Sequence, residues 1–127
     1  KYDTINHFSN INIEMNVSNI SEYMLEADLI FTSAGRTVYE IASVGTPTIV
    51  MGQNKREMTH FFASAEYGFS NLGLGYDLTD DELNKEFLRL LNSFEIRRDM
   101  STLMKTQDLK KGRKRVYKLI QDIIQQE

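Results

Sequence analysis

Ile11, Ile13, Met15 and Val17 alternate with Asn12, Glu14 and Asn16, and this two-residue period predicts a half-buried strand. Ser18 and Asn19 break it. From Ile20 the period lengthens: Ile20, Tyr23, Met24 and Ala27 fall on one helical face, with Asn19 in the N-cap position and Glu22 three residues on. Leu29-Ile30-Phe31 is a compact apolar run between Asp28 and Thr32-Ser33, too short for a helix and consistent with a buried parallel strand. Val38, Ile41 and Ala42 then predict a second helix, stopped by Gly45 at its C-terminal cap and by Pro47. Thr48 to Met51, ending at Gly52, is β-branched and reads as a further strand.

The second half of the chain is mostly helical in pattern. Met58, Phe61, Phe62 and Ala65 predict one helical face, closed by Gly68. Phe69 to Gly75 reads either as a short edge strand or as an extended loop, because Gly73 and Gly75 weaken strand formation. Thr79-Asp80-Asp81-Glu82 is a capping box for a helix with the face Leu83, Phe87, Leu90, Leu91 and Phe94. Another helix is expected over roughly residues 96–104, and a last one carries Val116, Leu119, Ile120 and Ile123. Alternating strands and helices predict an α/β domain, an open parallel sheet flanked by helices. Ligands in such folds bind beyond the carboxyl ends of the strands, which directs attention to Ser18-Asn19, Thr32 to Thr37 and Gly52 to Arg56.

Composition narrows the chemistry. A chain of 127 residues with 41% hydrophobic and 26% charged residues is expected to fold as one domain over 1–127; no repeat and a single proline argue against an internal linker. With 15 Lys+Arg against 18 Asp+Glu, the net charge of -3 gives no bulk attraction to nucleic acid or to an anionic membrane. The absence of cysteine removes disulfides and thiolate chemistry, and with only two histidines no metal site is expected. No apolar run reaches the roughly 18–20 residues of a membrane span, and Lys1-Tyr2-Asp3-Thr4 lacks a signal-peptide core, so a cytoplasmic location is expected. The chain opens on Lys1 rather than Met, which raises the expectation of a C-terminal piece of a longer protein.

Thr32-Ser33-Ala34-Gly35-Arg36-Thr37 joins a strand to a helix. Small residues admit close backbone approach, and the helix start offers free N–H groups and a positive dipole end, a geometry suited to a diphosphate. Glu40, one turn in, is placed to accept hydrogen bonds from a ribose diol while Arg36 and Thr37 meet phosphate oxygens. Thr37-x-x-Glu40 equally fits a capping box that serves the helix alone. His60 reads either as a ligand to sugar or phosphate or as a solvated or capping residue, and His7 is given no role. Ser33 lacks the flanking glycines of a nucleophile elbow, and Gly73-x-Gly75 lacks the third glycine of a dinucleotide fingerprint. The basic run from Lys110 to Lys118 reads as a solvated helix face.

The stretch from Ala27-Asp28-Leu29-Ile30-Phe31 through Ser33-Ala34-Gly35-Arg36-Thr37-Val38-Tyr39-Glu40 to Gly45-Thr46-Pro47 resembles the C-terminal domain of glycosyltransferases with two Rossmann-like domains (GT-B). It is similar there to the peptidoglycan UDP-N-acetylglucosamine transferase, the UDP-sugar hydrolase of pseudaminic acid biosynthesis and spore-coat polysaccharide proteins. Arg56 to Ala63 also resembles domains that follow a cytidylyltransferase in nonulosonic acid pathways. The resemblance implies half of a GT-B fold with extra C-terminal helices. It implies that Glu40 holds the ribose of UDP, that Ser33, Ala34, Gly35, Arg36 and Thr37 receive the diphosphate, and that Ser18 lies beside the uracil. Gln53 and Asn54 fall where relatives approach the sugar, and the relatives' later sugar-contacting positions stand here as Glu57-Met58-Thr59-His60, without their Gln pair. No catalytic residue is marked and no cofactor is implied.

Two functions follow from the resemblance. In one, the chain is the donor-binding domain of a glycosyltransferase or nucleotide-sugar hydrolase in cell-surface polysaccharide or nonulosonic acid biosynthesis, with a UDP-sugar as ligand. An N-terminal domain of the same protein then completes the site, and the chain alone is not active. In the other, it is a non-catalytic regulatory or oligomerisation module, such as a homodimer, of a cytidylyltransferase-type protein.

Overall fold

The two short apolar runs and Phe69 to Leu74 supply three strands that run in the same direction. In the computed structural model, which describes residues 8–125, β1 (Ile30–Thr32), β2 (Thr48–Gly52) and β3 (Phe69–Leu74) form one parallel sheet in the order β1-β2-β3. Ile30 pairs with Thr48 across β1 and β2, and Thr48 with Phe69 across β2 and β3. Helix α1 (Ile20–Glu26) precedes the sheet, and α2 (Thr37–Val44) is the crossover between β1 and β2. Two 3₁₀ turns, Glu57–Thr59 and Ala65–Tyr67, lie in the second crossover. Helices α3 (Asp80–Leu91) and α4 (Phe94–Thr106) follow, then a 3₁₀ turn at Leu109–Lys111 and α5 (Gly112–Ile124). The architecture is an open three-stranded Rossmann-like α/β domain.

Side chains of successive β2 residues point to opposite faces, and each face has its own core. Val50 packs with Met24, Val38, Ile41, Phe62, Phe69 and Met104. Ile49 packs with Leu90 and Met100, joined by Leu29, Met51, Leu72, Phe87 and Ile96. Both faces of β2 are therefore apolar, as a parallel sheet covered on two sides requires. Met100 and Met104 place α4 in both cores. The buried hydroxyls are satisfied: Thr46 donates to the Met24 carbonyl at 2.5 Å and Thr48 to the Thr46 carbonyl at 2.7 Å.

The helix ends follow local chemistry. Gly45 takes φ 88° and its N–H closes α2 on the Ile41 carbonyl at 2.7 Å, the left-handed cap that glycine adopts without a Cβ penalty. At α3 both halves of the capping box form: the Glu82 N–H donates to Thr79 Oγ1 at 3.3 Å, and the Thr79 N–H to Glu82 Oε2 at 2.9 Å. The α4 start is capped by Ser93, which accepts from the Ile96 N–H at 3.3 Å.

Four expectations are changed. Phe94, expected on the face of the helix that Thr79 opens, instead begins α4 and is exposed, because Ser93 caps a new helix start. Ile11 to Val17 is not a strand: Ile11, Ile13 and Met15 are exposed and Asn16 sits at φ 56°, because alternation becomes a strand only beside a ladder and none of the described strands pairs with it. The helix through Met58, Phe61, Phe62 and Ala65 is replaced by the two 3₁₀ turns. His60 leaves helical geometry at ψ 89°, so Phe62 turns inward while Phe61 is 74% exposed. Phe69 to Leu74 resolves as a sheet-edge strand with Gly73 at φ 84°. Lys1 to Thr4 and His7 lie outside the described residues. No described helix is long and apolar enough to cross a membrane.

Candidate functional site

The C-terminal ends of β1 and β2 open on a cleft of about 520 Å³ lined by Gly35, Arg36, Asn54, Arg56, Glu57 and His60. Its two walls are the β1–α2 loop and the first 3₁₀ turn after β2. The β2 end is shaped by an irregularity in pairing between Val50 and Gly52 and by the Gly75 N–H, which donates to the Gly52 carbonyl at 2.9 Å. Such irregularities bend a strand where side chains must be re-aimed.

Arg36 occupies the N-cap position of α2, and no side chain caps that helix start. Thr37 is the first helical residue and Glu40 the fourth, so the Thr37-Glu40 capping box is not formed. Glu40 is exposed, and its carboxylate makes no hydrogen bond or ion pair among the described residues. The Val38 and Tyr39 N–H groups turn back onto the Gly35 and Arg36 carbonyls, and the positive dipole end of α2 lies beside the cleft.

The opposite wall is braced internally. Glu57 accepts the Gln53 N–H at 2.9 Å, while its own N–H donates to Asn54 Oδ1 at 3.1 Å. Thr59 Oγ1 donates to the Arg56 carbonyl at 2.7 Å. Neither Arg36 nor Arg56 forms an ion pair among the described residues, and the lining of the cleft holds these two cationic residues and one acidic residue, Glu57. A planar guanidinium fork matches phosphate oxygens bidentately. The walls are joined by His60, whose Nδ1 lies 2.7 Å from the Ala34 carbonyl oxygen.

Of the residues expected from sequence, Gly35, Arg36, Asn54 and His60 are brought together in the lining. Ala34 is fully buried and contributes its carbonyl, Ser33 is half-buried, and Gln53 and Thr59 serve the turn rather than the cavity. Thr37 faces a neighbouring apolar hollow with Ile20, Tyr23 and Phe31. Ser18 is exposed ahead of α1 and does not line the cleft. Arg56 and Glu57 also line the cleft; Arg56 ends the strand-end loop expected to meet a ligand and Glu57 begins the Glu57 to His60 stretch, but neither is given a role of its own by the sequence. Their signal was the polar run after a strand, with Asn54 three residues before Glu57.

No protein-family model matches the chain, and no solved structure does. The chain is 28% identical over 105 residues to the spore coat polysaccharide biosynthesis protein SpsG of Bacillus subtilis (strain 168). The matched region is 82% of this chain and 31% of that protein, so the chain spans about a third of its relative's length.

Proposed function

We propose that the chain is a nucleotide-sugar donor-binding domain of a polysaccharide-biosynthesis protein, acting on a UDP-sugar in the cytoplasm. The observation that carries this reading is the strand-end cleft lined by both Arg36 and Arg56, neither in an ion pair among the described residues, beside a helix start that no side chain caps. A diphosphate placed there meets two charge-assisted donors and the dipole end of α2. Glu40, with its carboxylate uncommitted, accepts from the ribose hydroxyls. Likeness to a spore coat polysaccharide biosynthesis protein supports the polysaccharide-biosynthesis part of this reading. In a glycosyltransferase or nucleotide-sugar hydrolase, these groups stabilise the charge that develops on the departing nucleoside diphosphate. The acceptor or attacking water approaches from an N-terminal domain of the longer protein.

Calorimetric titration with UDP, UDP-N-acetylglucosamine, CDP and CMP tests the reading. Saturable binding of the UDP compounds is expected, weakened about tenfold by Arg36→Ala or Arg56→Ala, the loss of one charge-assisted hydrogen bond. Glu40→Ala is expected to weaken binding without lowering the melting temperature, since its side chain holds nothing in the fold. No heat with any nucleotide, or binding indifferent to both arginines, sinks the proposal. The second reading, an oligomerisation module of a cytidylyltransferase-type protein, is favoured by the uncovered apolar residues Val116, Leu119, Ile120 and Ile123 of α5. A stable dimer in sedimentation together with no nucleotide binding would select it.

A further inference from the structure

His60 stands at a break between two 3₁₀ turns, yet it is only half-exposed and reaches 26 residues back along the chain. The Ala34 carbonyl can only accept, so at 2.7 Å the imidazole Nδ1 must carry the proton. That fixes the tautomer. In the neutral ring, Nε2 is left as a lone-pair acceptor, and it makes no hydrogen bond among the described residues. Because no buried side-chain nitrogen is left unpaired among those residues, Nε2 is not fully buried, and His60 is one of the residues that line the cleft. Ala34 itself is wholly buried, and its carbonyl lies immediately before Gly35 and Arg36. The loop is otherwise held by local bonds: the Val38 N–H donates to the Gly35 carbonyl at 3.4 Å and the Tyr39 N–H to the Arg36 carbonyl at 3.1 Å.

We propose that His60 is a positioning residue. Its Nδ1–H clamps the Ala34 carbonyl, ties the turn after β2 to the loop after β1, and thereby sets Gly35 and Arg36 against the diphosphate. The inference rests on the donor-binding reading for its ligand but not for its geometry.

Asn and Gln separate the two ends of the ring, since an Asn amide nitrogen occupies the place of Nδ1 and a Gln amide nitrogen that of Nε2. The test compares wild type, His60→Ala, His60→Asn and His60→Gln, by UDP-N-acetylglucosamine titration and by hydrogen exchange at the Val38 and Tyr39 amides without ligand. The clamp predicts about tenfold weaker binding and about tenfold faster exchange in His60→Ala, both restored in His60→Asn and not in His60→Gln. Restoration by Gln alone would make His60 a direct ligand and overturn the clamp. Unchanged exchange in His60→Ala overturns it too. If wild type binds no nucleotide while the exchange pattern still follows the prediction, the donor reading fails and the clamp stands.

Discussion

Gly68 and Gly73 both sit at positive φ, 93° and 84°, but in different surroundings. A Cβ on Gly68 would lie 2.5 Å from the Met100 carbonyl oxygen and 3.1 Å from Met104 Cγ, whereas one on Gly73 meets nothing within 4 Å. Backbone cannot yield as a side-chain end does. Gly68→Ala is therefore expected to cost about 2 kcal/mol or more, and Gly73→Ala about 1 kcal/mol from its left-handed conformation alone; urea unfolding of the two variants reads the difference. Glu86 offers a pH-dependent case. Hydrogen bonds from the Arg89 guanidinium hold its carboxyl below the usual carboxylate range, partial burial opposes them, and the Ser70 hydroxyl adds a smaller pull. A carboxyl whose acidity is raised by folding contributes stability above its unfolded value and loses it as pH falls through the folded value. Glu86→Gln should flatten the acid side of the stability–pH curve. Because Arg89 is half exposed, its effect at neutral pH should stay below about 1 kcal/mol. Thermal melts from pH 3 to 7, a range about as wide as the carboxylate transition, measure it.

At the scale of elements, α3 shows how far local signals carry. Thr79 and Glu82 satisfy each other's backbone donors, so Thr79→Ala should destabilise the domain by about 1 kcal/mol, with fraying at Asp80 and Asp81 visible as faster amide exchange. The same locality explains what was legible in the sequence. The stop at Gly45, the capping box at Thr79 and the strand-length runs at Ile30 and Thr48 are decided by neighbours in the chain, and all appear in the structure. Ile11 to Val17 has the strand period, but its outcome depends on a pairing partner that no period encodes. Residues 57–67 have the helical period, yet the Glu57–Gln53 and His60–Ala34 bonds impose two short turns instead. At the site, the small-residue loop and Arg36 were visible because a strand-to-helix junction announces itself. Arg56 lies in the loop expected to meet a ligand, but neither it nor Glu57 carries a local signal for a role, because their place in the lining depends on the 3₁₀ turn that replaces the expected helix.

For the whole molecule, the distribution of burial separates a working core from a helix that adds little to it. Met104 is fully buried in the core shared by α1, α2 and the sheet, and it also packs against Gly68. Val116, Leu119, Ile120 and Ile123 of α5 are each more than half exposed, and no residue of that helix is buried. The contacts that hold α5 are polar and local, with Arg115 bonded to the Asp108 carbonyl at 2.8 Å and to its carboxylate at 3.3 Å. Helices of this length are marginal in water without tertiary packing, and free energy scales with apolar area removed from water. Removing residues 112–127 should therefore change the unfolding free energy of this chain by no more than about 1 kcal/mol, while Met104→Ala costs about 3 kcal/mol through the cavity it leaves. Urea unfolding followed by circular dichroism decides between them. If the truncation proves as costly as Met104→Ala, the apolar face of α5 is covered in solution, and the stability of the chain should then rise with its concentration.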